Sequence, residues 1–219
     1  MQMTQQAWTP LDRAGMAARA ARDIPEGWVV NLGIGIPTEV ANFIPPDREV
    51  IIHAENGVIG AGPAPSPEAI NPYLINAGVQ HITLRTGGSY VHHADSFAIA
   101  RGGHLDLSVL GAFEVSETGD IANWAHGPND PVKQVGGAMD LAVGARRLWV
   151  IMEHLTRSGA ARLRRQCGYP LTASGVVRRV YTNLAVLDVT SRGFVVRNMI
   201  EGMTMAELQA RTDAPLLAD

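Results

Sequence analysis

A chain of 219 residues that is 46% hydrophobic can bury one sizeable core, and a single domain spanning 1–219 is expected. A formal net charge of -3 gives no electrostatic footing for nucleic acid or an anionic membrane surface. One cysteine, Cys167, excludes an internal disulfide, and no apolar run nears the roughly 20 residues that span a bilayer, so a soluble cytoplasmic protein is expected.

Thr9-Pro10, followed by Leu11, Ala14, Ala17, Ala18 and Ala21, reads as an N-cap, a first-turn proline and an amphipathic helix that ends before Pro25. Trp28 to Leu32 has the composition of a buried strand, and it enters a glycine turn, Gly33-Ile34-Gly35, with a helical segment over Glu39 to Phe43. A second β-rich run, Val50 to Ala54, stops at Glu55-Asn56-Gly57, which puts a carboxylate on a tight turn at a strand tip. Val58 to Asn71, with two glycines and three prolines, is expected as an ordered loop. Strands are expected at His81 to Arg85 and Leu105 to Leu110, with a Gly87-Gly88 turn and a helix at Ala94 to Arg101 between them. Phe113 to Val115 and Ile121 to Trp124 flank a hairpin turn. Gly136-Gly137 opens a helix that stops near Gly144, and Leu148 to Met152 is another buried strand. Val177 to Val189 and Phe194 to Ile200 complete the strands, and Thr204 to Glu207 is a capping box for a last helix. The alternation of strands and helices argues for an α/β fold with an open, mostly parallel sheet and helices on its faces.

In such sheets ligands bind beyond the carboxyl ends of the strands, where Glu55 falls. The incomplete Gly33-x-Gly35 motif lacks the third glycine of a dinucleotide fingerprint. It serves equally as a structural turn or as an anion cradle, and Asn31 either caps the turn or bonds a ligand. The basic stretch Arg157 to Arg165 reads as an exposed face, with steering of an anionic ligand as the alternative. His92-His93 lacks metal-ligand spacing, no Gly-x-Ser-x-Gly elbow occurs, and no metal is expected. A carboxylate is ionised at neutral pH without a base, so Glu55 can attack an activated acyl group such as a thioester if water is excluded. Backbone N–H groups at Gly136 and Gly137 could stabilise the resulting oxyanion.

Four motifs, Asn31-Leu32-Gly33-Ile34-Gly35-Ile36-Pro37-Thr38, Glu55-Asn56-Gly57, Arg101-Gly102-Gly103-His104-Leu105-Asp106 and Gly136-Gly137-Ala138-Met139-Asp140-Leu141, follow one another in this order. Together they closely resemble the β (B-type) component of the family I 3-oxoacid CoA-transferases, and Asp120 to Trp124 and Tyr169 to Thr172 extend the similarity. The resemblance covers nearly the whole chain. It implies an α/β/α sandwich, a ping-pong reaction through a glutamyl-CoA thioester on Glu55, and a backbone amide of Gly136 lining the site. Coenzyme A contacts are implied at Asn31, Gly33, Gly35, Asn56 and Gly57. Coenzyme A acts as cosubstrate, with no permanently bound cofactor, and a separate α subunit is implied, as two α with two β. Succinyl-CoA is the implied donor, with acetoacetate or 3-oxoadipate as acceptor. Ala54 stands where the family usually has Ser, and Val79 where many members have Lys. An acyl-CoA hydrolase using the same glutamate, a sugar-phosphate isomerase and a non-catalytic effector-binding module are the rival readings.

Overall fold

The computed structural model describes residues 8–127, 130 and 135–219. Strands β1 (Val29–Leu32), β2 (Ile51–Ala54), β5 (Leu107–Leu110), β8 (Leu148–Met152) and β10 (Val177–Thr182) form the parallel centre of a ten-stranded sheet, in the order β10-β8-β5-β1-β2. Beyond β2 the sheet continues antiparallel through β3 (Val58–Ala61) and β4 (Leu84–Tyr90). Beyond β10 it continues through the antiparallel strands β11 (Ala185–Thr190) and β12 (Gly193–Met199), and β13 (Leu216–Ala218) pairs parallel with β12. A three-stranded sheet of β6 (Glu114–Ser116), β7 (Ile121–Ala122) and β9 (Leu163–Arg164) lies apart from it.

Strand alternation divides the core into two layers. In β8, Leu148, Val150 and Met152 enter one apolar cluster, and Trp149 and Ile151 enter the other. The first layer takes in Ala100 of helix α2 (His93–Arg101), Leu141 and Ala142 of α3 (Ala138–Gly144), the small sheet, and Leu208 of α4 (Met205–Gln209). The second takes in Met16, Ala17, Ala20 and Ala21 of α1 (Arg13–Asp23) and Val40 of a 3₁₀ helix, Ile36–Phe43. Covering both faces is what allows the central strands to be apolar throughout, and the result is the expected α/β/α arrangement.

The elements depart from the sequence reading at four places. Helix α1 starts at Arg13, because Asp12 accepts from Gly15 N–H at 2.7 Å and takes the capping role assigned to Thr9. Val58–Ala61 is a strand and not loop: Glu55-Asn56-Gly57 is a three-residue hairpin turn that returns the chain along β2. Strand β4 begins at Leu84 and runs through Gly87-Gly88. A side chain at Gly60 would lie 3.0 Å from Gly88 Cα, so these glycines serve a bulged, close strand approach and not a turn. Val177 to Val189 is two strands, β10 and β11, hinged at Asn183-Leu184. The capping box at Thr204 and Glu207 forms as expected.

Candidate active site

Glu55 follows the last residue of β2, and the turn that holds it closes with Gly57 N–H donating to Ala54 O at 2.9 Å. Gly57 has φ 110, and a Cβ there would meet Val91 O at 2.3 Å, so only glycine fits. Asn56 is exposed and anchors the turn from outside, its Nδ2 donating to Ile75 O at 2.8 Å. Alternation turns Glu55 to the α2 side of the sheet, where His93 acts on it electrostatically. Burial raises the Glu55 pKa above its ordinary 4.5, and His93 opposes that rise.

Gly137 completes the pocket of this carboxylate. A Cβ at Gly137 would lie 2.5 Å from Phe97 Cζ and 3.7 Å from Glu55 Oε1, so the glycine backbone packs edge-on between the ring and the acid. Gly136 has φ 49 with open space where a side chain would project. Among the described residues, neither the Gly136 nor the Gly137 N–H donates to an acceptor. A half-buried carboxylate beside two unpaired backbone donors can hold a developing oxyanion next to a nucleophile.

These groups open onto a cleft of about 1080 Å³ across the carboxyl ends of the central strands. Its floor runs from Glu55 past Gly33 to Pro37 after β1, Leu110 to Phe113 after β5, and Glu153 to Arg157 after β8, to Asn183 and Leu184 after β10. Val135 to Ala138 form another part of its wall. Gly35, at φ 95 with nothing within 4 Å of a virtual Cβ, leaves its backbone open, whereas Gly33 packs against Leu110 and Val109 and donates to Val109 O. Asn31 does not line the cleft. It is fully buried, and its Nδ2 faces His53 Nδ1 at 3.0 Å and His53 O at 3.2 Å, which leaves it no surface for a ligand in this conformation. Gly57 is likewise buried and outside the cleft lining.

The two positions that depart from the family pattern are also explained. Ala54 packs into the apolar layer on the α1 face, away from Glu55, so a hydroxyl there would not enter the carboxylate pocket. Val79 is 75% exposed at φ 61, a strained conformation for a β-branched residue. It is held in a turn whose Asn76 Oδ1 accepts from the Gly78 and Gln80 N–H groups.

The sequence reading missed His93 and Phe97, which reach Glu55 only because α2 packs under β2. It also missed the cleft arginines as a group. Arg13, Arg157, Arg162 and Arg211 all line the cleft, and none has a carboxylate partner among the described residues. Arg157 and Arg162 belong to the basic stretch, whose alternative reading as an anion-steering element they suit. Cys167 is held inert, its thiol pushed up to about 12 chiefly by burial, with the Glu114 and Asp120 charges adding to it. No helix among the described residues is long and apolar enough to cross a membrane.

Comparison with known proteins matches this architecture to a single family. The family model for coenzyme A transferase matches residues 13–210. The B component of the 3-oxoadipate CoA-transferase of Pseudomonas putida is 53% identical over 207 residues, covering 94% of this chain and 97% of the relative. The B component of a probable succinyl-CoA:3-ketoacid coenzyme A transferase of Bacillus subtilis is 46% identical over 202 residues, covering 92% of this chain and 93% of the relative. Among solved structures, the acyl-CoA transferase YdiF of Escherichia coli O157:H7 superposes with a TM-score of 0.73 at 18% identity, over 96% of this chain and 43% of that one. The α/β/α architecture, the strand-tip glutamate and the near-complete match to this family model together establish that the chain belongs to the coenzyme A transferase family.

Proposed function

We propose that the chain is the β subunit of a 3-oxoacid CoA-transferase, carrying coenzyme A from succinyl-CoA to a 3-oxoacid through a thioester on Glu55. The observation that carries this reading is the juxtaposition of Glu55 Oε1 with Gly137 in a cleft, where the Gly136 and Gly137 N–H groups are unpaired among the described residues. A Glu55 oxygen attacks the thioester carbonyl carbon, and the backbone donors hold the tetrahedral oxyanion. Collapse expels coenzyme A as thiolate and leaves a mixed anhydride. The thiolate then attacks the Glu55 carbonyl carbon, releasing the donor acid as carboxylate and forming the glutamyl thioester. A 3-oxoacid carboxylate attacks that thioester, and the same two steps in reverse yield 3-oxoacyl-CoA and restore Glu55. Half-burial keeps water from this sequence, since hydrolysis of either intermediate would end the transfer. Gly33 and Gly35 line the cleft where the coenzyme passes.

The higher identity to the 3-oxoadipate relative supports 3-oxoadipate as acceptor over acetoacetate. Both relatives are named as one of two lettered components of their enzymes, which supports a separate α subunit that completes this one. The test is to co-purify the chain with its α subunit, incubate with succinyl-CoA, reduce with borohydride and measure the intact mass. A mass loss mapped to the Glu55 peptide, absent in Glu55→Ala and absent from the chain purified alone, is expected. An unmodified Glu55 in an active complex would remove the nucleophile assignment. Adding 3-oxoadipate or acetoacetate to the loaded complex then separates transfer from hydrolysis.

A further inference from the structure

A row of polar side chains crosses the sheet directly beneath Glu55, in an otherwise apolar layer. His53, two residues before Glu55 and on the same face of β2, pairs across the ladder with Asn31 of β1, which pairs in turn with Ser108 of β5. His53 is 1% exposed, and Asn31, Ser108 and Ser96 of α2 are fully buried. Asn31 Nδ2 has both of its acceptors on His53, at Nδ1 and at the backbone O, which fixes the amide orientation and makes Nδ1 the acceptor nitrogen. His53 is therefore the neutral Nε2–H tautomer, and that N–H donates to Ser96 Oγ at 2.9 Å. Asn31 Oδ1 and Ser108 Oγ have no hydrogen-bond partner among the described residues. Such orphaned oxygens cost stability that an apolar row would not, so this row needs a purpose other than folding.

We propose that His53 is a positioning residue for the nucleophile, tying α2 to β2 so that the Glu55 carboxylate stands against the Gly137 backbone. Ser96, the acceptor of this tie, is followed in α2 by Phe97 and lies three residues after His93. Phe97 packs on Gly137, and His93, whose ring lies 4.9 Å from that of Phe97, acts electrostatically on Glu55. One hydrogen bond thus joins the strand that carries the acid to the helix that supplies the other walls of its pocket. Ser96→Ala removes the acceptor from the helix side, and His53→Leu removes the donor from the strand side.

The inference rests on Glu55 being the nucleophile, and the experiment separates the two. In complexes with the α subunit, we expect Ser96→Ala to lower kcat for transfer by about 10- to 100-fold, the scale of an ångström-level misplacement. KM for succinyl-CoA should stay within about twofold, because the lost interaction acts on the chemical step and not on uniform binding. Borohydride trapping at Glu55 should slow by the same factor as kcat. His53→Leu should do likewise, and the double variant should be no slower than the slower single variant, because both cut one link. Phe194→Leu, in the core at the distant β12, serves as the stability control and should leave kcat unchanged. Trapping in Ser96→Ala and His53→Leu at the wild-type rate overturns the inference alone. A wild-type complex that turns over without Glu55 modification overturns the nucleophile reading and this one with it.

Discussion

Burial of Glu55 has opposite consequences for activity and for stability. A carboxylate whose pKa is raised becomes protonated at a higher pH than usual, and the protonated acid is no nucleophile. The acid limb of kcat/KM should therefore lie above the ordinary value of 4.5, and removing the opposing charge in His93→Ala should move it to still higher pH. An unmoved limb in that variant would show that His93 does not act on Glu55. By linkage, an acid whose pKa is raised on folding weakens the fold at pH values where it must ionise, so Glu55→Gln should raise Tm at pH 7 while abolishing transfer. His154 is the second buried titratable group that matters. Its ring bridges Thr182 Oγ1 at 3.0 Å and Thr212 Oγ1 at 2.9 Å. Thr182 Oγ1 already accepts from the Leu184 and Ala185 N–H groups, so it meets Nδ1 as a donor. Thr212 donates to Leu208 O, so it accepts from Nε2–H. The site fits only neutral imidazole, and burial, with a smaller contribution from Arg211, lowers the pKa from 6.5 to about 4. A depressed folded pKa gives stability that is complete above pH 6.5 and is lost as pH falls toward 4. The loss amounts to about 3 kcal/mol. Urea unfolding of His154→Gln across that window should show a correspondingly smaller loss than wild type.

At the scale of elements, legibility followed the range of the forces. Strand β8 was readable in full because Leu148 to Met152 is apolar on both faces, a local pattern only a buried strand satisfies. The Thr204 capping box was equally local. Strand β3 was not readable, because Gly60 and the residues after Gly62 look like loop, and its pairing depends on β4 from twenty-odd residues away. The same division holds at the site. Glu55 at its turn and the Gly136-Gly137 donors stood out along the chain, whereas His93, Phe97 and the His53 tie are brought in by tertiary packing. Long-range ties also close helix ends. The α1 C-terminus is capped by Arg48, whose Nη1 lies 3.0 Å from Ala21 O and 3.2 Å from Ile24 O, and no motif within the helix announces this. Arg48→Met keeps the aliphatic stem but orphans those carbonyls, and it should cost about 1–3 kcal/mol in chemical denaturation. A loss well below that range would mean that water satisfies the carbonyls equally well.

For the whole molecule, strand order sets distances that decide what the arginine end of the cleft can bind. Arg157 follows β8, three strands from β2, and Asn183 follows β10, four strands away. At about 4.8 Å per strand, that end lies roughly 14–19 Å from Glu55. A six-carbon dicarboxylic acid bound at Glu55 extends only about 6–8 Å at roughly 1.3 Å per bond, so its far carboxylate falls short. The pantetheine arm of coenzyme A, with about 13 bonds from sulfur to the first phosphorus, spans roughly 16 Å and reaches it. Guanidiniums without carboxylate partners then face phosphate, which they bind through paired N–H donors. In the complex with the α subunit, Arg157→Gln combined with Arg13→Gln is expected to raise KM for succinyl-CoA about tenfold. The KM for the 3-oxoacid and kcat should be nearly unchanged, because binding far from the reacting carbon is shared by ground and transition states. The wild-type KM for succinyl-CoA should also rise with ionic strength, more steeply than that of the double variant. Equal salt dependence in the two enzymes, or a rise in KM confined to the acid, would place the coenzyme phosphates elsewhere and leave these arginines to the α subunit.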